Sequence, residues 1–236
     1  MEGRERVSVI HGSEPIIIVC PHGADDTNTD IVAESCAKTL SAYAVINRGF
    51  ERNDTVDVLK DLADCNRVDH VTQEVVDEEF LNPILKFKKM CRKHYPNKHT
   101  FIYYIHGFGN QVEREAGARI DIILGYGEAE KYNSYTCELW QRNLFIECYR
   151  AMSAAGDVFV GRAGGKYAAR ATNNMNQYFR KHQIDKKVDS MQVEIALRLR
   201  QDEAQAKMTG VTLAAVFGTI ADSEGFDRQI DEIFAI

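Results

Sequence analysis

Short runs of uninterrupted apolar residues alternate along this chain with longer stretches of helical periodicity. The first run, Ile16–Cys20, has no polar interruption. A run of that kind predicts a strand covered on both faces. Pro21 ends it, because proline has no N–H to donate to a ladder. Tyr43–Ile46, Phe101–Ile105, Ile120–Leu124, Asp157–Val160 and Met191–Ala196 predict further strands. Residues 1–14 are polar and predict a frayed end or an edge strand. Helical spacing predicts a helix over 30–41, with Ile31, Val32, Ala33, Cys36 and Leu40 inward and Asn28 or Thr29 as its cap.

A second helix is expected over about 73–95, kinked or restarted at Asn82-Pro83. Its basic end (Lys88, Lys89, Arg92, Lys93) suits the helix dipole and reads as a solvated terminus. A third spans about 136–154, with Leu139, Trp140, Leu144, Ile146 and Met152 as core candidates. Two more follow residue 201, split near 222–225. Residues 47–72 are polar with little periodicity and read as a long functional connection or lid.

Strands alternating with helices define an α/β layer fold with a largely parallel sheet covered on both faces. At 236 residues, one domain over 1–236 is expected. An apolar fraction of 44% suits an ordinary globular chain. The formal net charge of −6 disfavours nonspecific binding to nucleic acid or to an anionic membrane. No run approaches the roughly 18–20 apolar residues of a membrane span, and residues 1–8 have no apolar signal core. The six cysteines form no CxxC pattern, so neither a cysteine zinc knuckle nor a redox pair is indicated. A reducing cytoplasm is the compartment that fits. There is no P-loop, no GxGxxG after a strand and no GxSxG elbow, which sets nucleotide-binding and serine-hydrolase readings aside.

Three polar clusters follow three predicted strand ends: His22 with Asp25 and Asp26, His106-Gly107, and Gln192-Val193-Glu194. Open α/β sheets bind ligands at the carboxyl ends of their strands. Two histidines and a carboxylate suffice for a catalytic zinc with an open position. A further glutamate can act as general base. Alternation puts Gln192 and Glu194 on one face, either in such a site or on a solvent-facing edge strand. His70 lies near Arg67, and His11, His94, His99 and His182 lie in surface-like contexts. Arg67, beside Asn66, has the planar fork that clamps a carboxylate. Arg119 and Arg162 flank strands; each arginine alone also suits an ordinary surface.

Six short motifs occur in one order: Pro21-His22-Gly23, Asp64-Cys65-Asn66-Arg67, His106-Gly107, Arg119 to Gly125, Gly164-Gly165 and Gln192-Val193-Glu194. In that order they resemble the N-formylglutamate amidohydrolase family over roughly residues 15–200. The resemblance implies a three-layer α/β/α sandwich with a mostly parallel mixed sheet, similar to zinc carboxypeptidases and aminoacylases. It implies zinc held by His22, Asp25 and His106, with Glu194 as general base. Asn66 and Arg67 would hold a substrate carboxylate, and Arg119 would polarise the carbonyl.

The chain departs from the family in reading Gly-Ala-Asp-Asp after His22, so that Asp26 can replace Asp25 as ligand, and in Cys65. The implied activity is metal-dependent hydrolysis of a carbon–nitrogen bond other than a peptide bond, in a small N-acyl amino acid or peptide-like substrate. Two alternatives use the same fold or ligand types: a carboxylate- or peptide-binding protein without catalysis, and a peptidoglycan amidase.

Overall fold

The computed structural model describes residues 5–127, 135–153, 157–161, 167–182 and 187–224. In chain order the elements are β1 (Val7–Ile10), β2 (Ile16–Cys20), α1 (Thr29–Leu40), β3 (Tyr43–Asn47), α2 (Val68–Val71), α3 (Glu74–Val76), α4 (Asn82–His94), β4 (Thr100–Phe108), α5 (Asn110–Ala116), β5 (Ile120–Gly125), α6 (Leu139–Met152), β6 (Asp157–Val160), α7 (Tyr178–His182), β7 (Val188–Ala196) and α8 (Glu203–Ser223). The sheet order is β1-β3-β2-β4-β7-β5-β6. β3, β2, β4 and β7 run parallel, β1 is antiparallel to β3, and β5 is antiparallel to β7. The mixed, mostly parallel sheet of the expected α/β sandwich is therefore present.

Strand alternation divides the core in two. Ile16, Ile18 and Cys20, with Phe101, Tyr103 and Ile105 of β4 and Met191, Val193 and Ile195 of β7, pack under α1, α6 and α8. Ile17 and Val19, with Ile102 and Tyr104, face α4 and the segment before it. Both faces of the central strands are thus dry, as continuous apolar runs require.

Four expectations change. First, residues 47–72 are not a loose lid. Phe50, Ala63, Cys65 and Val71 are buried in the second core, and the segment holds a 3-10 turn (Val58–Lys60) and α2. Its apolar residues are too widely spaced to show a period. Second, β4 runs through His106 and Gly107 instead of stopping at Ile105, because β7 pairs with it over all nine residues, Thr100–Phe108 against Val188–Ala196. Third, the core face of α6 carries Phe145 and Tyr149, spaced i, i+4, while Leu139 and Met152 are exposed. Fourth, His99 is only partly exposed, and its Nδ1 lies 2.5 Å from the buried Asp189 carboxylate.

The helical rod from α3 to α4 contains a π turn over Asp77–Leu81, just before Pro83. A proline without an N–H breaks the regular ladder there. Asn28 sits at the start of α1 in the left-handed region (φ 55°) and does not cap it with its side chain. Its amide donates to Arg200 O instead. Arg162 and the Gly164-Gly165 pair lie outside the described residues, as does the last predicted helix beyond 224.

Candidate metal and substrate site

β4 and β7 lie side by side in a register that sets His106 opposite Glu194 and Tyr104 opposite Gln192. Alternation then turns His106, Gln192 and Glu194 to the same face of the sheet. β2 adjoins β4 on its other side, and the turn after β2 brings His22 back over His106. The backbone amides of Asp25 and Asp26 both donate to His22 O, which curls this turn tightly. Glu194 is therefore not on an edge strand: β7 is central, and the residue is 6% exposed.

The two imidazoles meet edge to face, with their Nδ1 atoms 3.2 Å apart. His22 Nε2 lies 2.9 Å from Asp64 Oδ1. The proton on His22 belongs at that nitrogen, which leaves the Nδ1 lone pair facing His106. Asp64 Oδ1 also accepts the Asn66 N–H at 2.9 Å. Burial works against ionising Asp64, yet the bond from His22 and the Asn66 amide hold its carboxyl below the usual range. His106 is fully buried, and its pKa lies well below that of an ordinary histidine because of that burial and the neighbouring His22. Its Nε2 is a buried atom with no hydrogen-bond partner.

Asp26 completes the group. One ligand atom each from His22, Asp26 and His106 lie within 4.8 Å of one another, and Asp26 Oδ2 accepts the Gly107 N–H at 3.1 Å. Two imidazole nitrogens and one carboxylate, with a second carboxylate behind one histidine, are the donor set of a catalytic zinc site. Two nitrogens bonded to one zinc at about 2.0–2.1 Å lie about 3.3 Å apart in tetrahedral geometry, close to the 3.2 Å here. The residues present therefore fit zinc.

The group opens into a cavity of about 360 Å³, which is also lined by Arg52, Asn66, Tyr167, Asn174, Gln192 and Glu194. Glu194 Oε1 accepts from Gln192 Nε2 at 2.8 Å, and Asn174 Nδ2 is 3.3 Å from Gln192 Oε1. Asn66 Oδ1 is buried with no partner.

Of the residues singled out from sequence, His22, His106, Asn66 and Glu194 come together here. Asp25 does not: its carboxylate points away and accepts the backbone N–H of Arg52 at 2.9 Å, so the nearby acid is Asp26. Arg67 does not line the cavity. Its guanidinium is held by Asp69 through two bonds of 2.7 and 3.1 Å, two residues along the same turn. Arg119 is exposed and lies off the cavity. His70 is buried and accepts the Asp64 N–H at 3.0 Å, supporting the site from behind.

Sequence reading missed Tyr167, Asn174 and Arg200, and placed Arg52 only within the polar connection over 47–72 without giving it a role in the site. Arg200 is 3% exposed, and its guanidinium donates to Thr27 O, Ile195 O and Phe108 O. It ties together the three segments that carry the site. Only its position shortly after a strand hinted at this. Asp64 was visible as part of a motif, but its contact with His22 was not.

The layers and the sheet order give a fold shared with solved structures, N-formylglutamate amidohydrolase among them. Gene product Atu2144 from Agrobacterium tumefaciens matches with a TM-score of 0.61 at 13% identity, over 93% of this chain and 96% of its own. N-formylglutamate amidohydrolase from Ralstonia eutropha JMP134 matches with a TM-score of 0.55 at 12% identity, over 90% and 98%. The tripeptide-bound cell shape determinant Csd4 from Helicobacter pylori matches with a TM-score of 0.51 at 12% identity, over 93% of this chain and 55% of Csd4. No protein-family model and no curated protein sequence matches the chain. The chain is thus a divergent example of this fold.

Proposed function

We propose that this protein is a zinc-dependent amidohydrolase. It cleaves the C–N bond of a small carboxylate-bearing substrate, such as an N-acyl or N-formyl amino acid. The observation that carries the reading is the register of β4 and β7, which sets Glu194 beside His106 on the face where His22 and Asp26 converge. His22, Asp26 and His106 would hold the metal, and Asp64 fixes the His22 tautomer through its 2.9 Å contact. When bound, zinc supplies Lewis-acid polarisation of the acyl carbonyl and of a water.

The remaining steps fall to this chain's own groups. Glu194 accepts a proton from water as its oxygen adds to the carbonyl carbon. Glu194 then delivers that proton to the departing nitrogen as the C–N bond breaks, giving a carboxylate and an amine. Gln192, bonded to Glu194 Oε1, orients the base. Asn66 contributes a polar contact to the substrate, its buried Oδ1 being without a partner. A cytoplasmic setting is part of the proposal, in keeping with six free cysteines. Among the described residues no helix is long and apolar enough to cross a membrane.

The test is a screen of N-acyl amino acids with added zinc, run on wild type and Glu194→Gln. Loss of a positioned general base lowers turnover by about 10²–10⁴-fold, while binding persists. Wild-type turnover in Glu194→Gln refutes the role of the base. Full zinc content in a His22→Ala, His106→Ala double variant refutes the ligand set. Ligand binding without turnover in wild type would instead identify a binding protein.

A further inference from the structure

Among the described residues one arginine lines the cavity beside the histidine pair, and it is not the arginine of the Asn66-Arg67 pair. Arg52 comes from the segment after β3 and lines the cavity together with His22, His106 and Asn66. Among the described residues Arg52 makes no ion pair. Arg67, by contrast, is occupied twice over by Asp69 and lies off the cavity.

The backbone of Arg52 is also anchored. Its N–H donates to Asp25 Oδ2 at 2.9 Å, and Asp25 belongs to the same tight turn as His22 and Asp26. The turn that presents the metal-ligand candidates therefore sets the position of Arg52 as well. Asn66 lines the same cavity; its Oδ1 is buried and unpartnered, and its side-chain amide can be turned either way. A guanidinium whose donors are not taken up by any described residue, in one cavity with an uncommitted amide, is a carboxylate-binding arrangement.

We infer that Arg52, held in place by Asp25, is the residue that binds the carboxylate of this protein's ligand, in the position that the motif would give to Arg67. Asp25 is then a positioning residue, and the second acid of the Asp25-Asp26 pair serves the metal site. The inference rests on the reading of the cavity as a carboxylate-substrate site, but it does not require turnover.

Calorimetric titration tests it. N-formyl-L-glutamate is titrated into zinc-loaded Glu194→Gln protein, so that no probe is consumed, and its diamide serves as the uncharged control. Arg52→Ala weakens dicarboxylate binding by about 10–100-fold, the worth of a charge-assisted hydrogen bond. It leaves the diamide within about twofold, and the loss exceeds that from Arg67→Ala. Asp25→Ala also weakens the dicarboxylate, while Asp25→Asn recovers most of it, because an amide oxygen still accepts the Arg52 N–H. Zinc content stays at the level of the parent protein in all these variants.

Three results would overturn the inference: no dicarboxylate binding by the parent, a larger loss from Arg67→Ala than from Arg52→Ala, or equal losses for dicarboxylate and diamide. Zinc lost from both Asp25 variants would return Asp25 to the ligand set. A wild-type protein that binds the dicarboxylate through Arg52 but hydrolyses no N-acyl amino acid would sink the hydrolase reading and leave this inference standing.

Discussion

Gly107 sits in a central strand with no side chain, directly above the guanidinium of Arg200. A Cβ built there overlaps Arg200 Nη2, Cζ and Nε. Arg200 cannot swing clear, because it is 3% exposed and donates to carbonyls on three segments, with bonds of 3.1 Å to Ile195 O and 3.2 Å to Phe108 O. Gly107→Ala must therefore shift the strand or expel the guanidinium. Overpacking of this kind costs roughly 1–3 kcal/mol. Loss of one charged hydrogen bond adds about 1.5 kcal/mol. We expect a destabilisation of about 3 kcal/mol. In a chain of this size that lowers the melting temperature by roughly 6–12 °C, at about 2–4 °C per kcal/mol.

The same substitution in an Arg200→Ala background has a different outcome. The space above the strand is then open, and alanine in place of glycine in a strand gains about 0.5–1 kcal/mol of backbone entropy. The cost should fall to near zero, giving a coupling of at least about 2 kcal/mol in a double-mutant cycle measured by urea unfolding. Independent sites add to within about 0.5 kcal/mol. If Gly107→Ala costs the same in both backgrounds, the contact with Arg200 is not what requires glycine.

Two further outcomes follow from the site and its surroundings. Asp64→Ala removes the acceptor of the His22 imidazole and should weaken zinc binding by about 10–100-fold, read by competition with a chelating dye; unchanged affinity would exclude the supporting role. Asp69 has its pKa lowered to about 2 by hydrogen bonds from Arg67 and, after a contrary contribution from burial, from Asn173. Its folded pKa lies below the unfolded value of about 3.9, so its contribution is present above about pH 4 and fades as the pH falls towards 2. Because the side chain is half exposed, the contribution is below about 1 kcal/mol. The stability gap between wild type and Asp69→Asn in urea should therefore close on acidification, and a gap that widens would contradict the assignment.

Much of the fold was legible because its signals are local. Ile16–Cys20 and Phe101–Ile105 are apolar on every residue, which is enough to mark strands buried on both faces. The alternation of Gln192 and Glu194 in β7 put both on one face before any neighbour was known. What the sequence left open was adjacency. Nothing local says that β7, the last of the described strands, slots between β4 and β5, and that placement turns Glu194 from a possible surface residue into a buried partner of His106. A strand end that looked like Ile105 moved to Phe108 for the same reason, since pairing with β7 is a nonlocal contact.

The sequence by itself determined the element types, the two-sided burial of the central strands and the pool of chemistry-bearing residues: His22, His106, Asn66 and Glu194 among them. Tertiary structure decided between neighbours that composition cannot separate. Asp25 and Asp26 are the same residue type one position apart, and only the curl of the turn after β2 aims Asp26 at the histidines and Asp25 at Arg52. Arg67 carries the motif, yet Asp69 two residues on captures it, while Arg52, from the same polar connection but outside any motif, reaches the cavity. Side-chain direction is set by backbone curvature and by competing partners, and neither is written in residue type or spacing.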